Sequence, residues 1–382
     1  MRTLVAWFVL LVHLTPAILA SGGRSLLWRL PLLVLLGLVS GLLFLAHAVG
    51  FALDDVLFRR YRRIPVKAPV FIVGVPRSGT THLQRQLAQD PAFTSLTLWE
   101  CLLAPSITER YVWATLGRCL APLTRRLTRW RWRGMDAVHH LGWREPEEDF
   151  LLLLYRGGCF LPALLRPDAD RYWELAFLDD AVEPERRQVL MQFYRRCVQR
   201  HLYYHGTHRR LLSKNPSWTG WVTTLSDTFP DARFIACVRR PGEAVPSQLS
   251  ALRPALHSLG RQRFEGALQE RLLMVLHSYY RQVAVWRHTQ QQPGSRVRVL
   301  PLPQLARLGE SGWKRLYAFC EQPLPSVTNN GPRERRDAVP GHRYRLEDFN
   351  LTPAWVERFF ADVWSECKAP EARFERAGSC RP

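Results

Sequence analysis

Phe71-Ile72-Val73-Gly74-Val75-Pro76-Arg77-Ser78-Gly79-Thr80-Thr81 packs a strand, a tight turn and a helix start into one short stretch. Val70 to Val73 is an apolar run of strand type, Gly74 to Gly79 supplies the turn, and Thr80 opens the helical pattern. A strand feeding a glycine loop and then a helix N-terminus aims several unpaired backbone N–H groups at one point, which makes an anion site. The spacing Gly74-x4-Gly79 is that of a nucleotide P-loop, but Thr80 stands where the P-loop lysine would be, and Arg77 lies inside the loop. An anion cradle is predicted here, built differently from that of an ATPase.

A second segment carries the same theme. Asp231-Ala-Arg-Phe-Ile-Ala-Cys-Val238 is a strand candidate, followed by Arg239-Arg-Pro241 and a helix that holds Ser247. The Val-Pro-Arg77-Ser78-Gly79-Thr80-Thr81 loop resembles the 5′-phosphosulfate loop of sulfotransferases that use 3′-phosphoadenosine 5′-phosphosulfate (PAPS). Arg239 and Ser247 are similar to the arginine and serine that hold the 3′-phosphate in that family. The resemblance covers about residues 54 to 366 and is closest to a branch with Leu98-Trp99-Glu100, Pro146-Glu-Glu-Asp149 and His342-Arg-Tyr-Arg-Leu-Glu-Asp-Phe349. It implies PAPS as co-substrate and a cradle of Arg77, Ser78, Gly79, Thr80 and Thr81, with Arg239 and Ser247 on the 3′-phosphate. No metal is implied, because cations and oriented N–H groups suffice to stabilise the developing charge.

Three side chains are assigned the chemistry. Arg77 is placed at the transferring group or its bridging oxygen. Lys214, in Leu-Leu-Ser-Lys-Asn-Pro-Ser217, ends a predicted strand and resembles the Lys-x-Pro step of tyrosylprotein sulfotransferases, which implies transition-state stabilisation. Glu100, an acid in the otherwise apolar run Leu96 to Leu103, is the first choice of general base, since desolvation there raises a carboxyl pKa. His140, next to His139, is the competing base. Glu145, Glu147, Glu148 and Asp149 read as acids at a helix N-terminus ahead of Phe150. Arg333, Arg335 and Arg336 are a further candidate phosphate contact or a solvated charge run.

Strand candidates at Val70–Val73, Arg210–Lys214, Arg233–Val238 and Arg296–Leu300 alternate with helical stretches. That order predicts an α/β fold: a P-loop-like parallel sheet flanked by helices, with ligands at the carboxyl ends of the strands. N-terminal transmembrane helices precede it. Leu30 to Leu53 carries no charge, and its length as a helix is about 36 Å, enough for a bilayer core. Leu4 to Ala20 is a second apolar run, read as another span, with a cleavable signal peptide as the alternative. The domains expected are a membrane anchor at 1–53, a basic connector at 54–69, the sulfotransferase domain at 70–366 and a tail at 367–382.

Arg59, Arg60, Arg62, Arg63 and Lys67 follow the second span and outnumber Arg24 and Arg29 between the spans, which places the catalytic domain in the cytoplasm by the positive-inside rule. A Golgi membrane with a lumenal domain is the alternative. The net charge of +20 suits an anionic nucleotide and an anionic membrane surface. No zinc-finger, helix-turn-helix or RNA-binding signature points to nucleic acid. The eight cysteines show neither C-x-x-C nor zinc spacing, so free thiols are expected. Leu116, Leu120, Leu123, Leu127 and Trp130 recur at helical spacing among arginines, a basic amphipathic pattern that suits a membrane interface as well as a core. Together these features predict sulfuryl transfer to the hydroxyl of an unknown lipid or amphiphile. A nucleoside-triphosphate-dependent phosphotransferase and an inactive membrane-tethered scaffold are the alternatives.

Overall fold

A computed structural model describes residues 26–116, 145–258, 266–325 and 345–367. Its centre is a five-stranded parallel sheet in the order β2-β3-β1-β4-β5, with β1 Val70–Gly74, β2 Phe93–Thr94, β3 Arg210–Lys214, β4 Arg233–Val238 and β5 Val297–Pro301. Every residue of β1 and β3 is buried, as expected of strands covered on both faces. The registers Ile72↔Lys214 and Gly74↔Cys237 bring the carboxyl ends of β1, β3 and β4 level with one another. The chain moves from β1 to one side of the sheet and later crosses to the other, so the crevice above β1 is the topological switch point where such folds bind ligands.

Helices cover both faces. Residues Leu26–Leu57 form α1, Thr80–Leu87 α2, Leu98–Leu102 α3, 107–116 α4, Pro184–His205 α5, Pro241–Ser258 α6 and Gly266–Thr289 α7. The start of α5 is set by Pro184 in its first turn, and its end by Gly206 at φ +125°. One face of the sheet packs Phe71 and Val73 with Phe229, Trp218 and Tyr280. The other packs Val70 and Ile72 with Leu83 and Leu87 of α2.

Two boundaries differ from those expected. α1 runs on to Leu57, and Phe44 and Phe51 within it join the main core, so the folded domain begins ahead of residue 53. Within the connector expected at 54–69, Asp54, Tyr61 and Ile64 are buried and Arg59–Arg63 is a 3-10 turn. Gly37–Leu57 is the one helix among the described residues long and apolar enough to cross a membrane. The run Leu4 to Ala20 and the repeat from Leu120 to Trp130 lie outside the described residues. The six described cysteines are buried and unpaired.

Candidate active site

The loop after β1 is built for close approach of an anion. Gly74 turns the chain at φ +103°, and a Cβ there would lie 2.2 Å from the carbonyl oxygen of Cys237, so only glycine lets β1 lie this close to β4. The Gly74 N–H donates to Thr219 Oγ1 at 2.8 Å, and that hydroxyl donates to the Gly74 carbonyl at 2.9 Å, which pins the strand end to the 3-10 turn Pro216–Trp221. Arg77 at φ +64° and Gly79 at φ +85° are both left-handed, the alternation that curls successive N–H groups into an anion nest. Between them Ser78 is fully buried, and its Oγ has no hydrogen-bond partner. A buried orphan hydroxyl at the mouth of a nest, followed by the N-terminus of an eight-residue helix, fits the phosphosulfate end of PAPS.

The two halves of the nucleotide signature meet. Arg77 Nε donates to Ser247 Oγ at 3.1 Å across 170 residues of sequence. Arg239 ends β4, where its carbonyl accepts from the Tyr280 hydroxyl and its guanidinium pairs with Glu243 one turn into α6 at 2.7 Å. Thr80 is buried and Thr81 exposed at the start of α2.

Lys214 ends β3 beside β1, almost fully buried, and its Nζ lies 3.0 Å from Glu148 Oε1, which is about one third exposed. The next residue, Asp149, is sealed. Its carboxylate accepts from Tyr194 at 2.5 Å, Ser213 at 2.9 Å and Trp218 at 3.1 Å. Burial pushes its pKa up to about 6 against those three donors. The segment is held in place by the backbone bond from Glu147 N–H to Leu96 C=O and by the Thr97–Pro146 bridge. Sequence reading treated these acids as a helix N-terminus. The contact with Lys214 depends on chain pairing 66 residues away and leaves no local signal.

Glu100 differs from its expectation. It is buried, but its Oε2 accepts from the Thr97 N–H and hydroxyl in a capping box at the start of α3. Its Oε1 lies 2.6 Å from His205 Nε2, 3.4 Å from His201 Nδ1 and 3.5 Å from Arg110 Nε. Desolvation raises its pKa as anticipated, but Arg110, His201 and His205 outweigh it and hold the carboxyl well below the usual range. Burial drives His201 down to about 4, so it is neutral at pH 7 and the permanent charge beside Glu100 is that of Arg110. The partners described for Glu100 include neither the loop nor Lys214. Glu100, His201 and His205 offer ligand atoms within 4.8 Å of one another. With Arg110 already supplying the countercharge, a metal ion is not required there for balance. The His-x3-His spacing on α5 was a signal available in the sequence.

His139, His140, Arg333, Arg335, Arg336 and His342 to Tyr344 lie outside the described residues. The rest of that last motif is structural: Leu346 and Phe349 enter the core around a 3-10 turn.

The fold is shared with solved sulfotransferases. STF9 from Mycobacterium avium aligns at TM-score 0.61 and 24% identity over 83% of this chain and 80% of that one. STF1 from Mycobacterium tuberculosis aligns at 0.58 and 20%, covering 93% and 92%. In sequence, the omega-hydroxy-beta-dihydromenaquinone-9 sulfotransferases of Mycobacterium bovis and Mycobacterium tuberculosis are each 30% identical over 224 residues, 56% of this chain. The chain spans about half the length of these curated relatives, 53%. A sulfotransferase family model matches residues 69–326, more than half of the chain, and with it the loop, β3 and β4 that converge above β1: the chain belongs to the sulfotransferase family.

Proposed function

We propose that the protein transfers a sulfuryl group from PAPS to the hydroxyl of a membrane-resident lipid or amphiphile, from a catalytic domain on the cytoplasmic face. The observation that carries this reading is the convergence of the Arg77–Gly79 nest, Lys214 and Arg239 at the carboxyl ends of three adjacent strands, with Arg77 and Ser247 in contact. The N–H groups of Ser78 to Thr81 and the Ser78 hydroxyl cradle the phosphosulfate. Arg239 and Ser247 take the 3′-phosphate, for which Arg239 exchanges its pairing with Glu243. The acceptor oxygen attacks sulfur, the bond from sulfur to the phosphate oxygen breaks, and Lys214 and Arg77 offset the charge on the departing phosphate.

The proton of the acceptor goes to Glu148 in this reading. Its carboxylate is partly exposed and touches Lys214, so one contact sets both groups beside the reacting centre. Glu100, with both oxygens engaged and its pKa held down, is assigned to support the site instead of acting as base. The lipid acceptor is suggested by the mycobacterial relatives, whose name specifies a hydroxylated menaquinone, and by the apolar α1.

Calorimetry with 3′-phosphoadenosine 5′-phosphate should show metal-independent binding that Arg239→Ala abolishes. Preference for ATP with magnesium would instead mark a phosphotransferase, and no binding by folded protein an inactive scaffold. With labelled PAPS and a lipid acceptor, Glu148→Gln and Lys214→Ala should each lower kcat by about 10²- to 10⁴-fold, the usual weight of a positioned acid–base or electrostatic group. Loss in Glu100→Gln with full activity in Glu148→Gln would return the base to Glu100.

A further inference from the structure

α1 has 32 residues, about 48 Å of helix, against a hydrocarbon core of about 30 Å. The surplus is not a free stalk. From Phe44 onward one face is buried at Phe44, His47, Gly50, Phe51 and Asp54, the i, i+3, i+4 pattern of a helix docked on protein. The docking partner is α4. A Cβ on Gly50 would lie 2.5 Å from Ser106 Oγ. His47 pairs with Glu109 at 2.5 Å, and Asp54 accepts from the N–H groups of Ile107 and Thr108 at 2.9 and 2.8 Å. Phe58 stacks on Tyr111.

The opposite face of this helix pair is apolar and exposed. It presents Leu45, Val49, Leu53 and Val56 from α1, with Val112 and Leu116 from α4, each between 39% and 61% accessible. Immediately beyond the end of α1, Arg59, Arg60, Arg62, Arg63 and Lys67 are all exposed, with Asp55 as the carboxylate paired among them. An apolar stripe that ends in a cationic collar matches acyl chains bordered by anionic headgroups. A helix too long for the bilayer can tilt to keep its apolar residues in lipid, and tilting α1 toward this stripe carries α4 down with it.

We propose that the α1–α4 pair is a bilayer-docking face, on which the catalytic domain lies against an anionic leaflet instead of hanging from a flexible anchor. This rests on the membrane-resident reading above and adds the partner surface. A lipid acceptor would then reach the site from the leaflet without crossing water.

The test uses the full chain in nanodiscs of phosphatidylglycerol and phosphatidylcholine, with Cys119→Ser and Cys380→Ser to limit background. Spin labels are placed at Leu38→Cys, Val49→Cys, Val112→Cys, Leu116→Cys and, as a water-facing control, Met274→Cys, which is 54% exposed on α7. Retained binding of 3′-phosphoadenosine 5′-phosphate certifies that each variant is folded. Labels at 49, 112 and 116 should be open to oxygen and shielded from a nickel chelate, with the reverse at 274. Water exposure at 112 and 116 equal to that at 274, with 38 in lipid, overturns the docking face and leaves the anchor intact. Water exposure at 38 as well sinks the membrane reading itself.

Discussion

Glu148 and Asp149 are neighbours in sequence with opposite surroundings. Glu148 reaches Lys214 at the edge of the crevice, whereas Asp149 is enclosed by Tyr194, Ser213 and Trp218. Enclosure without a countercharge lifts the Asp149 pKa from 3.8 to about 6. The folded state therefore holds this proton more tightly than the unfolded chain. Its stabilising effect is full below about pH 4 and is lost as the pH rises through about 6, a change of about 3 kcal/mol for a shift of two units. Asp149→Asn should flatten that part of the profile: between pH 4 and 7 the native Tm should fall relative to that of the variant. Parallel profiles would show that Asp149 does not titrate in this window. Glu100 shows why single residues are hard to read from sequence. Its apolar neighbours are local and visible, and they predict a raised pKa. The groups that reverse the sign, Arg110, His201 and His205, arrive from other helices.

At the scale of elements, the loop after β1 distinguishes two glycines with different duties. Gly79 begins α2 at φ +85°, and a Cβ would come within 2.8 and 2.9 Å of Leu302 Cδ1 and Leu305 Cδ2, the mobile ends of side chains. Gly79→Ala should fold, at a cost of about 1–2 kcal/mol for a left-handed alanine. The same strain disturbs the N–H groups of the nest, so affinity for 3′-phosphoadenosine 5′-phosphate should fall about tenfold in calorimetry. At Gly74 the obstruction is backbone, and Gly74→Ala should yield no folded protein. Unchanged nucleotide affinity in a folded Gly79→Ala protein would mean that the loop does not hold the phosphate. The loop and the strands β1, β3, β4 and β5 were legible because each is a local pattern, an apolar run closed by glycine, arginine or proline. β2 was not, since Phe93–Thr94 is too short for a period and exists through its pairing with Arg210 and Leu211. The Lys214–Glu148 contact escaped for the same reason: pairing across the chain made it.

On the scale of the whole molecule, hydropathy separated a membrane segment from a folded domain at residue 53, but the structure shares one helix between them. The apolar run made α1 visible, but the face that docks was hidden because His47 and Asp54 carry the same buried stripe as Phe44 and Phe51. Asp54 is the joint. It accepts from Ile107 N–H, Thr108 N–H, the Thr108 hydroxyl and Arg200 Nε, which ties α1, α4 and α5 together. Arg200 is buried beside it and also lies over the rings of Phe51 and Tyr61. Removing Asp54 strands that guanidinium, at about 3–5 kcal/mol. Losing Phe44 and Phe51 from the core adds about 3 kcal/mol or more for each. Those costs together reach the whole net stability of a typical domain, about 5–15 kcal/mol. A chain started at Phe44 should therefore fold in detergent and show a Tm that rises with 3′-phosphoadenosine 5′-phosphate, while one started at Phe58 should neither melt cooperatively nor respond to the nucleotide. Equal melting of the two would make α1 an appendage, and the domain would then begin where hydropathy alone would put it.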